Sequence, residues 1–325
     1  MPNRFIWIGT DIVFSDKKEP LEDKSLDANI RSVLRYTATI NKAAHIVSSF
    51  TIEQRKSIWT LFDKSATKSE PLFTRAIKSI SSDQRAKTRA AINAAITSDQ
   101  SAKAIDIALA KVFTDANDKA VQKALAPAWL ASLNVGKNNA HALLAQAGKG
   151  FAITVTKDES DAMVNDRFTV WIDKNGLDKA KEINNTTNEV LKTQLREILS
   201  DSIDEGDSVK ETVSKLLNAC DGVYDNMSGY RANMIARTET ASTVNAGSYA
   251  TYKTEGIEKK EWIAVQDDRT RDDHSDADGQ IVGVDEAFDV GGEELDYPGD
   301  PSGDAGNIIN CRCTIAPVVS TGEED

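Results

Sequence analysis

The chain has 325 residues, 40 % apolar and 28 % charged, a globular composition long enough for one large or two ordinary domains and too apolar for a disordered chain. It holds no run of about 18 apolar residues, which argues against a helical membrane span, and its start, MPNRFIWIGTDIVFSDKK, lacks the basic leader and cleavage site of a secretory signal. The net charge of −12 is unevenly spread: residues 257–325 carry 19 acids against 5 Lys/Arg and residues 1–256 carry 32 against 34, so any contact with DNA is expected from residues 1–256.

In chain order, FIWI and IVF around Gly9-Thr10-Asp11 suggest a short hairpin or arm. Residues 26–50 place Ile30, Val33, Leu34, Ile40, Ala44 and Val47 at helical spacing. Thr51 with Gln54 has the form of a capping box opening the next helix, and Ser82 and Ser101 read as further helix starts. Ala126-Pro127 predicts an interruption, and a helix from Trp129 to Ala147 carries Gly136 in its interior. Residues 1–150 are thus expected to be a helical region that ends near Gly148-Lys149-Gly150, followed by a short apolar alternation at Phe151, Ile153 and Val155.

A helical arm is expected over 151–228. Ala162 to Asp173 is read as one helix stopped by Asn175-Gly176, and Leu177 to Ile203 as a second, broken by Asp204-Glu205-Gly206-Asp207. Ser208-Val209-Lys210-Glu211 is a capping box opening a third, on whose apolar stripe Cys220 is a core residue.

The third region, 229–319, followed by a tail at 320–325, carries the chemistry. Its helix 229–255, closed by Gly256, holds IARTE at 235–239, and Arg237 falls on the apolar side with Met234, Ala241 and Val244. A buried guanidinium must be paired, so Arg237 is expected to reach a carboxylate or loop carbonyls of the C-terminal module, with Glu239 making a second contact. A transferase with Arg237 and Glu239 in a cleft is the catalytic alternative. Strands are expected near 260–266, 280–284 and 310–316, the first two joined by a turn containing Asp267, Asp268, Arg271, His274, Asp276, Asp278 and Gly279, and Asn310-Cys311-Arg312-Cys313-Thr314 is expected to close the sheet. The fold class is therefore α+β, predominantly α-helical, with a helix-plus-short-sheet module at the C-terminus.

From His274 to Asp285 the letters approach a calcium loop, but His stands first and Asp last, and the flanks read as strand and turn where two helices are needed. Of three cysteines, Cys311 and Cys313 are one residue apart, a spacing that strains a mutual disulfide. With His274 they supply three of the four ligands of a zinc site, and an Asp from the 267–278 turn is the candidate fourth. No cofactor is required by this reading, which equally admits two small buried thiols with His274 bonded to a loop. A Cys311/His274/Asp276 nucleophilic triad lacks an activating helix N-terminus or glycine elbow.

The ordered motifs IARTE, W-x-x-x-x-DDRTR-x-x-H-x-x-x-DGQ from Trp262, DEAF, YPGDP and INCRC over roughly 175–319 resemble the phage Mu F-like family of head morphogenesis proteins, densely from Arg231 onward. Arg237, Glu239, Trp262, Asp268, Arg271, His274, Asp278, Gly279, Cys311, Arg312 and Cys313 are the positions that carry it. The resemblance implies a non-enzymatic minor capsid protein in the phage head, and in the host cytoplasm during assembly, with the portal protein and other head proteins as partners and no membrane role. Many members of that family carry extra cysteines where this chain has Arg271-Asp272-Asp273. A metal-dependent hydrolase or toxin-like enzyme using His274, Asp276, Asp278, Cys311 and Cys313 is the alternative.

Overall fold

The computed structural model describes residues 6–8, 11–13, 50–147, 157–265 and 267–319. The expected helix at 26–50, the alternation at 151–155 and the tail at 320–325 lie outside the described residues. An antiparallel hairpin, β1 (Ile6–Ile8) and β2 (Asp11–Val13), matches the first expectation. The helices α1 (Ile52–Ser98), α2 (Ala102–Val112), α3 (Asp115–Ala147), α4 (Lys157–Asp204) and α5 (Val209–Asn226) follow. A π-helical stretch, Met227–Arg231, with Gly229 outside helical geometry, then leads into α6 (Ala232–Thr254). The C-terminal elements are β3 (Lys259–Ile263), α7 (Asp272–Asp276), β4 (Ile281–Gly283), β5 (Phe288–Val290), β6 (Glu293–Leu295), α8 (Ala305–Ile308) and β7 (Thr314–Val318). A largely helical α+β architecture is observed, and among the described residues no helix is long and apolar enough to cross a membrane.

Local signals are obeyed where they satisfy a helix end. Gln54 and Thr51 bond reciprocally through side chain and backbone, Ser101 caps α2, and Ser208 and Glu211 form the capping box of α5. Gly206 and Gly256 take positive φ just beyond α4 and α6. The expected breaks inside helices are corrected: α1 runs through Ser82, α3 through Pro127, and α4 through Asn175-Gly176, and α1 also holds Pro71 in its interior. Each helix buries one face at core positions on both sides of the breaker, which outweighs the local cost of Pro, about 3 kcal/mol.

The chain forms two compact units built from interleaved segments, which cuts across the sequential division at 150 and 228. Of the described residues, one unit takes Thr74–Ala126 and Lys174–Asn233 with the N-terminal hairpin; the other takes 50–73, 127–147, 157–173, 234–265 and 267–319. At about 1.5 Å per residue the 47- and 48-residue helices α1 and α4 are each roughly 70 Å long, longer than one compact unit needs. The breaker residues cluster at the changeovers instead: Pro71 before Thr74, Pro127 itself, and Gly176 after Lys174.

In the first unit, Ile77, Ile92, Ile105, Leu195 and Leu216 are fully buried, as is Cys220, whose thiol is pushed up to about 12 by burial. Polar groups are paired within this interior: Gln84 donates to Asn184, which donates to Asp118, each at 2.6 Å, and Tyr224 bonds Thr88 at 2.7 Å.

In the second unit, β3 is the centre of a three-stranded antiparallel sheet ordered β4-β3-β7. Strand alternation sends Trp262 and Ile315 to one face, with Tyr252 of α6 and Phe288, and Ile263 and Ala316 to the other, with Ile58 of α1. Helices α3 and α6 cross in backbone contact here. A Cβ on Gly136 would lie 2.0 Å from Val244 O, and one on Gly247 would lie 2.1 Å from Leu133 O. Ser248 Oγ donates to Gly136 O at 3.0 Å across the crossing. Gly136, a weakness by propensity, is thus required by approach. Gly247→Ala is expected to destabilise by about 1–3 kcal/mol in urea denaturation, where the same change on an open helix face stabilises by up to about 1 kcal/mol.

Candidate functional site

The residues singled out in the sequence nearly all lie in the second unit, around the segment 310–314. Asn310 has φ +56, the left-handed region Asn tolerates, and its N–H is received by Thr238 Oγ1 of α6 at 3.0 Å. Cys311, Arg312 and Cys313 follow in irregular backbone, and the strand that closes the sheet starts only at Thr314. Of the strand expected at 310–316, residues 314–316 lie in β7 and residues 310–313 are its lead-in.

Asn245 of α6 fixes this lead-in. Its amide donates to Cys313 O and Pro298 O, each at 3.0 Å, and its carbonyl oxygen accepts from Thr314 Oγ1 at 2.8 Å. Trp59 of α1 adds an indole N–H bond to Arg312 O at 2.9 Å. Asn245 and Trp59 were not picked out in the sequence. A lone Asn inside an Ala/Ser/Thr-rich helix has no local signature, and its three partners lie more than 50 residues away. Asn245→Ala strands three buried polar groups and is expected to cost about 2–3 kcal/mol in chemical denaturation.

The acidic turn is occupied by internal bonds. Asp267 receives Arg312 in a two-pronged pair, both contacts at 2.6 Å, which holds its carboxyl well below the usual range. Arg271 donates to Ile309 O at 2.6 Å. Asp278 accepts the Ala264 N–H at 2.8 Å and meets Arg55 at 3.2 Å. Gly279 has φ +82, and a Cβ there would fall 2.5 Å from the Arg55 guanidinium, so both its conformation and its lack of a side chain are needed. Asp268 and Asp276 are exposed.

Arg237 corrects an expectation. It lies exposed on α6, 3.9 Å from Glu70 of α1, while Glu239 is buried and accepts the Trp129 indole N–H at 2.7 Å. Two residues apart on a helix point to different sides, so this pair does not share a cleft. The calcium-loop positions also disperse: His274 is buried, Asp278 faces Arg55, and Asp285 pairs with Lys253 at 2.6 Å.

What the fold does bring together is His274, Cys311 and Cys313, all buried. His274 sits in the five-residue α7 with its ring edge-on to Trp262, centroids 5.7 Å apart. Its Nδ1 is 3.4 Å from Cys313 Sγ and 3.6 Å from Cys311 Sγ, and its Nε2 has no hydrogen-bond partner among the described residues. The bond from Cys313, helped by His274, draws Cys311 down, and the same bond together with burial pushes Cys313 up. No carboxylate joins the cluster among the described residues, so the expected Asp ligand from the turn is not supplied, and exposed Asp276 completes no triad.

Two further charges lie in β3, where the sequence reading saw only a strand. Lys260 is buried, donates to Asp296 O at 2.7 Å and lies over the rings of Tyr249 and Phe288; burial lowers it to about 8. Glu261, on the opposite face, pairs with Arg55, yet burial outweighs that pairing and raises it to about 7. The native state then holds a proton that the unfolded chain has released between pH 4.5 and about 7, so stability falls as pH rises through that window. The effect is on the order of 3 kcal/mol. Thermal unfolding across this range is expected to show the slope in the wild type and its loss in Glu261→Gln.

Comparison with known proteins agrees with this geography. Residues 193–316 match the family described as "Phage Mu protein F like protein". Among curated proteins, the chain is 26 % identical over 164 residues to the uncharacterized protein YqbB of Bacillus subtilis, covering 49 % of this chain and 51 % of that protein. It is 41 % identical over 93 residues to a protein of Enterococcus faecalis named NAD(+)--arginine ADP-ribosyltransferase EFV, covering 27 % of this chain and 19 % of that protein. An uncharacterized protein of Haemophilus influenzae is 33 % identical over 94 residues, 29 % of this chain and 19 % of that protein. The chain thus spans about half the length of the first relative and about a fifth of the other two. No solved structure matches.

Proposed function

We propose, from the phage Mu protein F-like identity of residues 193–316, that the chain is a minor head protein acting in phage head morphogenesis by binding rather than by catalysis. The observation that carries the binding reading is the occupancy of the motif residues. Asp267, Arg271, Asp278 and Arg312 are each bonded within the module, and Glu239 accepts from Trp129 of α3. Such a set builds a rigid platform, whereas a catalytic site must leave groups unspent for its substrate.

In this reading the portal protein is the partner, with other head proteins, and the chain works in the host cytoplasm during assembly and resides in the head. DNA contact, if made, falls to residues 1–256, whose charge is near balance, since the acidic residues 257–325 repel phosphate. The transferase activity named for the Enterococcus protein is not carried over. The match covers 19 % of that protein, and Arg237 and Glu239 do not form a cleft.

Co-expression with a phage portal protein tests the proposal. A complex that survives size-exclusion chromatography is expected, with no NAD+ consumption by the purified chain. Absence of a complex together with measurable turnover would replace the assembly role with an enzymatic one.

A further inference from the structure

The His274, Cys311 and Cys313 cluster is not needed for the binding role, and hydrogen bonding within it leaves His274 Nε2 without a partner among the described residues. One imidazole nitrogen offers one lone pair or one proton, so it serves one sulfur at a time. Here a single Nδ1 stands 3.4 and 3.6 Å from two sulfurs. Ligand atoms sharing a tetrahedral zinc, with Zn–S near 2.3 Å and Zn–N near 2.0 Å, lie about 3.6 Å apart. The spacing is one that a shared ion would accept.

Charge balance is compatible with an ion. Both sulfurs are buried at 1–2 % exposure, and deprotonating both without a dication would be costly, since Arg312 is paired with Asp267 and Arg271 donates to Ile309 O. A dication with a neutral imidazole and two thiolates makes a group of zero net charge, which a buried site tolerates. The sulfurs form no disulfide. The three ligands come from two segments, α7 and the lead-in to β7, that share no backbone hydrogen-bond ladder. An ion there would cross-link them.

We propose that His274 Nδ1, Cys311 Sγ and Cys313 Sγ bind one zinc ion per chain, with a solvent molecule in the fourth position, and that this ion fastens the acidic turn to the segment before β7. Because the fourth position is not a protein ligand, affinity is lower than that of a four-ligand structural site, and chelators are expected to strip it. The inference does not depend on the phage-head reading, since a zinc-binding module serves an assembly factor or an enzyme alike.

The test uses the full chain, expressed with a tag that contains no histidine and purified without chelator, with metal content measured by plasma mass spectrometry. About one zinc per chain is expected, retained in a Cys220→Ser control and lost in His274→Ala and Cys313→Ser. Should those variants fail to fold, the wild type decides alone. Chelator-treated protein titrated with Co2+ is expected to develop thiolate-to-cobalt charge-transfer absorption that saturates at one equivalent and is bleached by zinc. Zinc is also expected to slow alkylation of two of the three thiols by at least tenfold. Wild-type protein from zinc-replete medium that carries no zinc, and takes up no Co2+ after chelation, would overturn the proposal.

Discussion

The C-terminal module hangs on one side chain amide. Asn245 is buried in α6 and closes bonds to Pro298, Cys313 and Thr314, so it sets where the proline turn lies and where β7 begins. Those two positions bring the YPGDP turn and the INCRC segment against α6. The Cys311–Cys313 segment reaches His274 because Cys313 O is held against α6, and Arg312 can lie flat on Asp267 because its own carbonyl is taken by Trp59. A buried amide with all its polar atoms satisfied specifies one arrangement, since any displacement leaves several groups unpaired at once.

What the sequence disclosed follows the range of the physics involved. Caps at Thr51, Ser101 and Ser208 and the stop at Gly256 are reciprocal bonds within a few residues, and such signals are complete in the local letters. Pro127 and Asn175-Gly176 are equally plain local signals with the opposite outcome, because burial on both sides of them is a tertiary quantity. Those residues mark where α3 and α4 pass from one compact unit to the other, information that a helix-or-break reading has no way to express.

At the site, the motif order named His274, Cys311 and Cys313 together, and the fold brings those three side chains into one buried cluster. Arg237 was misplaced for a specific reason: a helix wheel assigns it to the apolar side, but α6 is buried on most of its circumference and opens to solvent at Arg237. Lys260 and Glu261 were passed over because charged letters in a strand normally face water, and here neither does.

These two adjacent charges act on the alignment of the sheet itself. Lys260 points into aromatic rings and a carbonyl on one face, and Glu261 into a guanidinium on the other. Sliding β3 by a single residue would exchange the faces, bringing the ammonium against Arg55 and the carboxylate against the face that holds Asp296 and Asp300. Both neighbourhoods would then repel their new occupant. A pair of costly buried charges thereby works as an error check on strand pairing, rejecting the wrong register more strongly than a uniformly apolar strand could.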